Sequence, residues 1–395
     1  MKGNLRFGQL FGIPFFVNPS WFLVLALGTL SLADDFGRLP SIQALGSLAI
    51  GGAIALGLIT TLLLFASVLA HELGHSAAAI AQGIEVKSIT LFIFGGLALL
   101  AKDAQTPMKS LAIAIAGPLV SFGLFFLLTF VQLTMSGLPL TIIVMLKFLA
   151  GLNLILGLFN LIPGMPLDGG NVLRAVVWQI TGNPSTGLLW ASRTGQGFGI
   201  FAITIGALGF LGISPYGSLW TAFLGFFLLQ NAGLSAQSAQ IQSKLDQRTV
   251  EDALISGPVV VQGNRSIRGF VNDYVIGKTA LPLYIVTDEQ GKYLGLIKPS
   301  DLNTIATSRW TEITLVDLLN ERIQDEAPLE LTTIRNHQSL LTAVPLLEQN
   351  PNQPLLVVNN YDQILGLLTR SSVRDCLAAV VPDRTVEIKT AVPPE

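Results

Sequence analysis

Polarity divides this chain in two. Up to about Leu234, long apolar runs alternate with short polar ones; beyond it, apolar residues come in short bursts among charges. The long runs are Trp21–Leu32, Ala44 to about Ala79, Lys109–Met135, Leu138 to about Phe159, Gln196–Ile213 and Leu219–Leu234. A helix that crosses a bilayer needs ~20 apolar residues, so the pattern predicts about six spans. Gly117-Pro118 is expected to interrupt the third, and Pro163 and Pro166 to break the chain after the fourth. Between the second and third runs the pattern changes. Ile84 to Phe94 is β-branched and aromatic and stops at Gly95-Gly96, which reads as strands. Strands at membrane depth must be covered by protein or face water. Met1–Asn18 is short and mixed.

The polar run 236–248, rich in Ser and Gln, reads as a linker. An internal repeat follows. Leu281-Pro282-Leu283-Tyr284-Ile285-Val286 and Leu294-Gly295-Leu296-Ile297 recur as Gln353-Pro354-Leu355-Leu356-Val357-Val358 and Leu365-Gly366-Leu367-Leu368. Each unit opens alike, with Thr249-Val250-Glu251-Asp252 and Thr314-Leu315-Val316-Asp317. Buried strand pairs alternating with amphipathic helices give two α/β modules, 249–306 and 314–378. The tail 379–395 is mixed in charge and carries little information. The predicted fold class is an α-helical polytopic membrane bundle over 1–235 with a small β element, followed by a soluble α/β tandem module.

Composition supports this division. The 395 residues are 51% hydrophobic and 12% charged, about half the charge of an ordinary soluble domain. Only 15 of the 48 charged residues precede Ala236. A net charge of -2 gives no support for nucleic-acid binding. The single cysteine, Cys376, excludes an internal disulfide and suits a reducing compartment. No cleavable signal peptide is expected, since the first apolar run has no A-x-A exit. Basic residues collect at the N-terminus (Lys2, Arg6), after the second and fourth runs, and at the exit (Lys244, Arg248). By the positive-inside rule, the termini and the C-terminal modules are cytoplasmic.

One stretch carries the chemistry. From Leu39 to Ile84 the only formally charged residue is Glu72, within His71-Glu72-Leu73-Gly74-His75. A carboxylate in such a run costs ~2.5–3.5 kcal/mol on insertion scales. Histidines at i and i+4 share a helix face and can reach one metal ion. Glu72 points partly away from that face and is better placed to take a proton from metal-activated water than to ligate. Polar glue between membrane helices is the competing account.

Two imidazoles leave a zinc shell incomplete. Between Ser110 and Leu167 the only charged residue is Lys147; Asp168 then appears beside Gly169 and Gly170. Its carboxylate can complete a two-histidine, one-carboxylate site. It can also pair with Arg174 or cap a helix.

His71-Glu72-Leu73-Gly74-His75, Phe94-Gly95-Gly96 and Asn160-x-x-Pro163…Leu167-Asp168-Gly169-Gly170 together resemble the site-2 protease family of intramembrane zinc metalloproteases. The resemblance covers Met1 to about Ser235. It implies zinc held by His71, His75 and Asp168, with Glu72 as catalytic base. Asn160 is then a hydrogen-bond donor to substrate or oxyanion. Gly95 and Gly96 end a strand that holds the substrate extended. Asn171 stands where many members have a basic residue or His, and Asn18 where many have His. The C-terminal repeat resembles a tandem pair of cystathionine-β-synthase-type (CBS) domains, which implies an adenine nucleotide with its ribose on Asp301. The matching position of the second module is Ser372. Control by nucleotide and homodimerisation through the pair both remain open roles.

The resemblance implies a membrane-embedded zinc endopeptidase acting in the bilayer on a transmembrane substrate, with an anti-sigma factor or similar regulator as the family's expected substrate (regulated intramembrane proteolysis). A membrane metal-ion transporter or sensor, and an inactive nucleotide-regulated binding protein, are the rival readings.

Overall fold

The computed structural model describes residues 4–93, 95–135, 137–256, 260–277, 284–325, 331–350 and 353–378. Phe94, the Leu281-Pro282-Leu283 part of the repeat and the 379–395 tail lie outside them. The chain forms two units, Met1–Gln240 and Ile241–Glu395.

The first unit opens with a hairpin inside the stretch read as short and mixed. β1 (Leu5–Leu10) and β2 (Ile13–Val17) pair antiparallel. Phe11 and Gly12 between them have φ of 52° and 82°, the signs a tight primed turn requires. α1 (Ser20–Gly37), a short α2 (Pro40–Gln43) and α3 (Ala49–Ala81) follow. The 33 residues of α3 extend about 50 Å, well beyond a ~30 Å hydrocarbon core. β3 (Val86–Phe92) then lies parallel to β2, and β4 (Gly95–Leu100) folds back on β3. The sheet order β1-β2-β3-β4 leaves β4 at an edge. Val17, Trp21, Phe65 and Leu91 cluster to seat this sheet on α1 and α3.

α4 (Pro107–Thr134), α5 (Leu140–Asn160), α6 (Asp168–Thr181), α7 (Pro184–Phe210) and α8 (Leu219–Asp246) complete the unit. Their ends are written locally. Asn183 Oδ1 accepts from the amides of Ser185 and Thr186 at 2.8 and 3.1 Å, with Pro184 as the first helical residue, which starts α7. Gly182, at φ 72°, closes α6. Gly46–Ala81, Pro107–Thr134, Leu140–Asn160 and Leu219–Asp246 are long and apolar enough to cross a membrane. α1 and α7 occupy the places of the other two expected spans.

Two features differ from the sequence expectation. α4 runs unbroken through Gly117-Pro118, as apolar helices can when neighbours compensate for the missing amide. The 236–248 segment is helical as far as Asp246, because it contains no glycine or proline to stop it.

In the second unit the two modules exchange their opening segments. β6 (Val260–Gln262), β7 (Tyr284–Thr287) and β8 (Tyr293–Ile297) form one sheet, with the short α9 (Ile267–Phe270) beside it. β9 (Thr333–Arg335), β10 (Leu355–Val358) and β11 (Ile364–Leu368) form the other, joined by β5 (Ile255–Ser256) from the start of the repeat. α11 (Leu340–Gln349) and α12 (Arg370–Ala378) pack on this second sheet, and α10 (Leu315–Asp325) packs on the first. Val250 and Ala253 sit in the second core, with Leu340 and Val357. Leu315 and Leu318 sit in the first, with Phe270 and Tyr284. The spatial modules therefore differ from the linear divisions 249–306 and 314–378.

Helix crossings in the first unit rely on glycine, as membrane helix interfaces do. A Cβ on Gly57 would lie 2.5 Å from the Thr29 carbonyl oxygen, whereas Gly51 has open space around it. Gly57→Val should overpack the α1–α3 crossing by ~1–3 kcal/mol. The expected result is a lower thermal midpoint in detergent for Gly57→Val and an unchanged one for Gly51→Val. Equal midpoints for both would refute the close crossing.

Candidate active site

His71 and His75 lie one turn apart on the buried face of α3, 3% and 9% exposed. Asp168 is the first residue of α6. Gly169 and Gly170 put it there: a Cβ on Gly170 would lie 2.5 Å from the Met165 amide nitrogen, so only glycine lets the helix start pack onto the preceding turn. The three sequence-selected side chains meet. His71 Nε2 is 3.0 Å from Asp168 Oδ2, His75 Nε2 is 3.2 Å from the same oxygen, and the two Nε2 atoms are 3.3 Å apart. Arg174, the other partner considered for Asp168, bonds Asp103 instead, at 3.1 Å.

The outer ring nitrogens are held too. His75 Nδ1 donates to the Ile113 carbonyl at 2.7 Å, and His71 Nδ1 meets Ser121 Oγ at 2.8 Å. A carbonyl can only accept, so neutral His75 carries its proton on Nδ1 and turns the Nε2 lone pair inward. Lone pairs converging with a carboxylate oxygen make a cation site, and the donor set fits zinc. Such a site needs its outer partners, which fix ring orientation.

α4, predicted from the sequence only as the third apolar run, supplies those partners. Ala114, Gly117 and Ser121 are buried on one face of it. A Cβ on Gly117 would collide with His75 Nε2 and lie 2.7 Å from His71 Nε2. On α3, a Cβ on Gly74 would lie 2.8 Å from the Ala116 carbonyl oxygen. The crossing is thus stripped of side-chain bulk from both sides. The signal available in the sequence was the spacing of small residues, Ala114-x-x-Gly117-x-x-x-Ser121.

Glu72 lies beside this group rather than within it. Gly96 makes room for it, since a Cβ there would lie 2.9 Å from Glu72 Cδ and 3.0 Å from Oε1. Gly95, at φ 135°, takes a backbone conformation that favours glycine. Asn160 Nδ2 is 3.4 Å from His71 Nε2. A cavity of about 560 Å³ joins His71, Glu72, His75, Asn160 and Asp168 to Gly96 and Ala98 of β4 and to Asn171, Arg174 and Trp178 of α6. Gly95 is not among its lining residues.

Asp301 stands in the second unit. Its Oδ2 accepts from the Lys298 amide at 2.8 Å and caps a short 3₁₀ turn. Asp252 and Asp317 accept from Thr249 and Thr314 in the same way, at 2.8 and 2.9 Å, and Ser372 Oγ accepts from Thr369 at 3.0 Å. All four sites of the repeat thus share one local capping role. Ser372 keeps it although it lacks a carboxylate.

A family model for peptidase family M50 matches residues 59–142 and 138–201. The protein sll0528 of Synechocystis sp., described as a candidate zinc metalloprotease, is 50% identical over 377 residues, 95% of this chain and 96% of that protein. Rip3 of Mycobacterium tuberculosis, described likewise, is 32% identical over 385 residues, 94% of this chain and 92% of that one. Among solved structures, the site-2 protease from Methanocaldococcus jannaschii is 27% identical, with a TM-score of 0.42, over 59% of this chain and 95% of its own.

Gly117→Ala tests the metal centre directly. The added methyl should displace the imidazoles and lower the zinc content of the purified protein, read by elemental analysis, while the α-helical circular dichroism stays as in wild type. Full zinc occupancy in this variant would contradict the packing described.

Proposed function

The chain belongs to peptidase family M50, and from that membership we propose how its own residues perform the family's reaction. It is an integral membrane zinc metalloendopeptidase of the site-2 type. In the proposed reading His71, His75 and Asp168 hold one zinc ion; the observation that carries it is the convergence of their three ligand atoms within 4.8 Å of one another. Zinc bound there supplies Lewis acidity, polarising the scissile carbonyl and lowering the pKa of the attacking water toward ~7.

Glu72 takes the proton from that water and delivers it to the departing amide nitrogen. Its place beside the ligands, in the cavity wall, suits a base rather than a ligand. The Asn160 amide donates to the oxygen on which negative charge develops. A transmembrane helix hides its peptide bonds, so the substrate must reach the site unwound. The edge strand β4, entered at Gly95-Gly96, pairs with the unwound segment. The basic residues that follow α3, Lys87, Lys102 and Lys109, favour a site near the cytoplasmic end of that helix.

The C-terminal unit is read as a CBS-type pair that takes an adenine nucleotide near Asp301 and biases the protease through it. A ribose there competes with the Lys298 cap. Homodimerisation through the pair is the rival role.

Each of His71→Ala, His75→Ala and Asp168→Ala should lose zinc and all cleavage of a transmembrane peptide. Glu72→Gln should keep zinc and lose at least ~100-fold in rate, the scale of a general base. Zinc and activity both retained in Asp168→Ala would remove that ligand. For orientation, single cysteines at Gly137 and Lys244, with Cys376 replaced, should label from outside intact cells at 137 and not at 244; the reverse pattern inverts the topology. For control, calorimetry of the whole protein with ATP, ADP and AMP should give binding heat that Asp301→Ala removes. Heat left unchanged by that substitution would exclude Asp301.

A further inference from the structure

The cavity continues past the His71–His75–Asp168 cluster, and its far end holds a half-buried cation that the proposed reaction does not use. Asp168, Asn171, Arg174 and Trp178 all line it. Their spacings of three, three and four residues place them on one face of α6. The opposite wall is β4, whose outer edge has no strand partner among the described residues. Two contacts orient this groove. At the metal end, Gly96 lies against Glu72. At the other, Arg174 Nη2 donates to Asp103 Oδ2 at 3.1 Å, just beyond the end of β4.

Arg174 is poorly satisfied for its burial. Its side chain is 17% exposed, and its Nε is buried with no acceptor among the described residues. A guanidinium presents five donors in a fork that fits a carboxylate with two parallel bonds. Asp103, by contrast, is 79% exposed, so its carboxylate can leave for water at small cost. The chain therefore already shows which chemistry this guanidinium accepts, held by a partner that can be exchanged.

We infer that Arg174 is a specificity-determining residue, which selects substrates bearing an Asp or Glu about three residues from the scissile bond and releases Asp103 when that carboxylate arrives. The register follows from lengths. Six helical residues from Asp168 to Arg174 span about 9 Å, and an extended chain advances about 3.3 Å per residue. The inference rests on the proteolytic reading of the cavity and names the substrate class for it.

The test reads binding separately from cleavage. Fluorescent Leu/Ala transmembrane peptides with a central Gly-Ser break carry Asp, or Asn in its place, two to four residues to either side of the break. Their affinity for Glu72→Gln protein in nanodiscs is measured by anisotropy. The Asp peptide with the best-placed charge should bind about tenfold tighter than its Asn twin, the scale of one charge-assisted bond. Adding Arg174→Gln should abolish the preference, and Arg174→Lys should keep part of it. Asp103→Asn, which leaves Arg174 in place, should strengthen binding of the Asp peptide alone. Equal binding of Asp and Asn peptides at every position, no binding of either, a preference that survives Arg174→Gln, or an equal loss for both peptides in Asp103→Asn would each overturn the inference. The last result would leave the ion pair as a loop anchor. A clear Asp preference without cleavage by wild type would count against the proteolytic reading and leave the carboxylate site standing.

Discussion

Two imidazoles and a carboxylate brought together inside apolar helices set the terms for the rest of the first unit. Lone pairs at 3.0 to 3.3 Å repel unless a cation or proton lies among them, and lipid offers no water to screen them. The fold answers by building inward from this point. α3 supplies both imidazoles at one helical spacing, and α6 begins at the carboxylate because two glycines let it. α4 comes close enough to bind the outer ring nitrogens because Gly74 and Gly117 carry no side chain. Bulk at either glycine would separate the helices before it touched the chemistry.

The grouping of His71, His75 and Asp168 beside Glu72 was legible because an ionisable group in an apolar run is rare and histidines at i and i+4 share one face of a helix. The helical stretches were legible from their apolar runs, four of which are long and apolar enough by themselves to cross a membrane. What supports the ligands was not. Ser121 and the Ile113 carbonyl act through distance, and in the sequence they are a serine and an isoleucine in a long apolar helix. Pro118 looked like a break because local propensity was all the sequence offered, and packing overrode it. The β1–β2 hairpin was missed because its strands are short and its turn places a phenylalanine, Phe11, at positive φ, where Asn or Gly is the usual signal. α6 was hidden by the prolines before it.

In the second unit, repetition was legible and its arrangement was not. Thr249-x-x-Asp252 and Thr314-x-x-Asp317 mark equivalent positions, yet each packs into the core of the other repeat. Sequence periodicity counts along the chain and cannot distinguish a neighbour in sequence from a neighbour in space. The exchange has a physical consequence. Neither module completes its core from contiguous residues, and the second sheet borrows β5 from the first repeat, so the two must form together. A ligand that alters one repeat is therefore felt in the other, which is what control through this unit requires.

The groove beside the metal centre also bears on how a helix could be cut. Each peptide group freed from a helix in lipid costs several kcal/mol unless it finds a new partner, so local unwinding is forbidden in the open bilayer. An edge strand changes this balance. The six residues of β4 present outward-facing N–H and C=O groups at every second position, enough to take up the groups released from a short unwound segment. In the proposed reading, the groups that β4 does not reach find partners in polar groups of the cavity wall such as Asn171. Unwinding is then, in the same reading, favourable only where the segment lies between strand and helix, with its scissile carbonyl near Glu72 and Asn160. On this argument the sheet does more than position the substrate. It confines the unwound state to the one place where hydrolysis can follow.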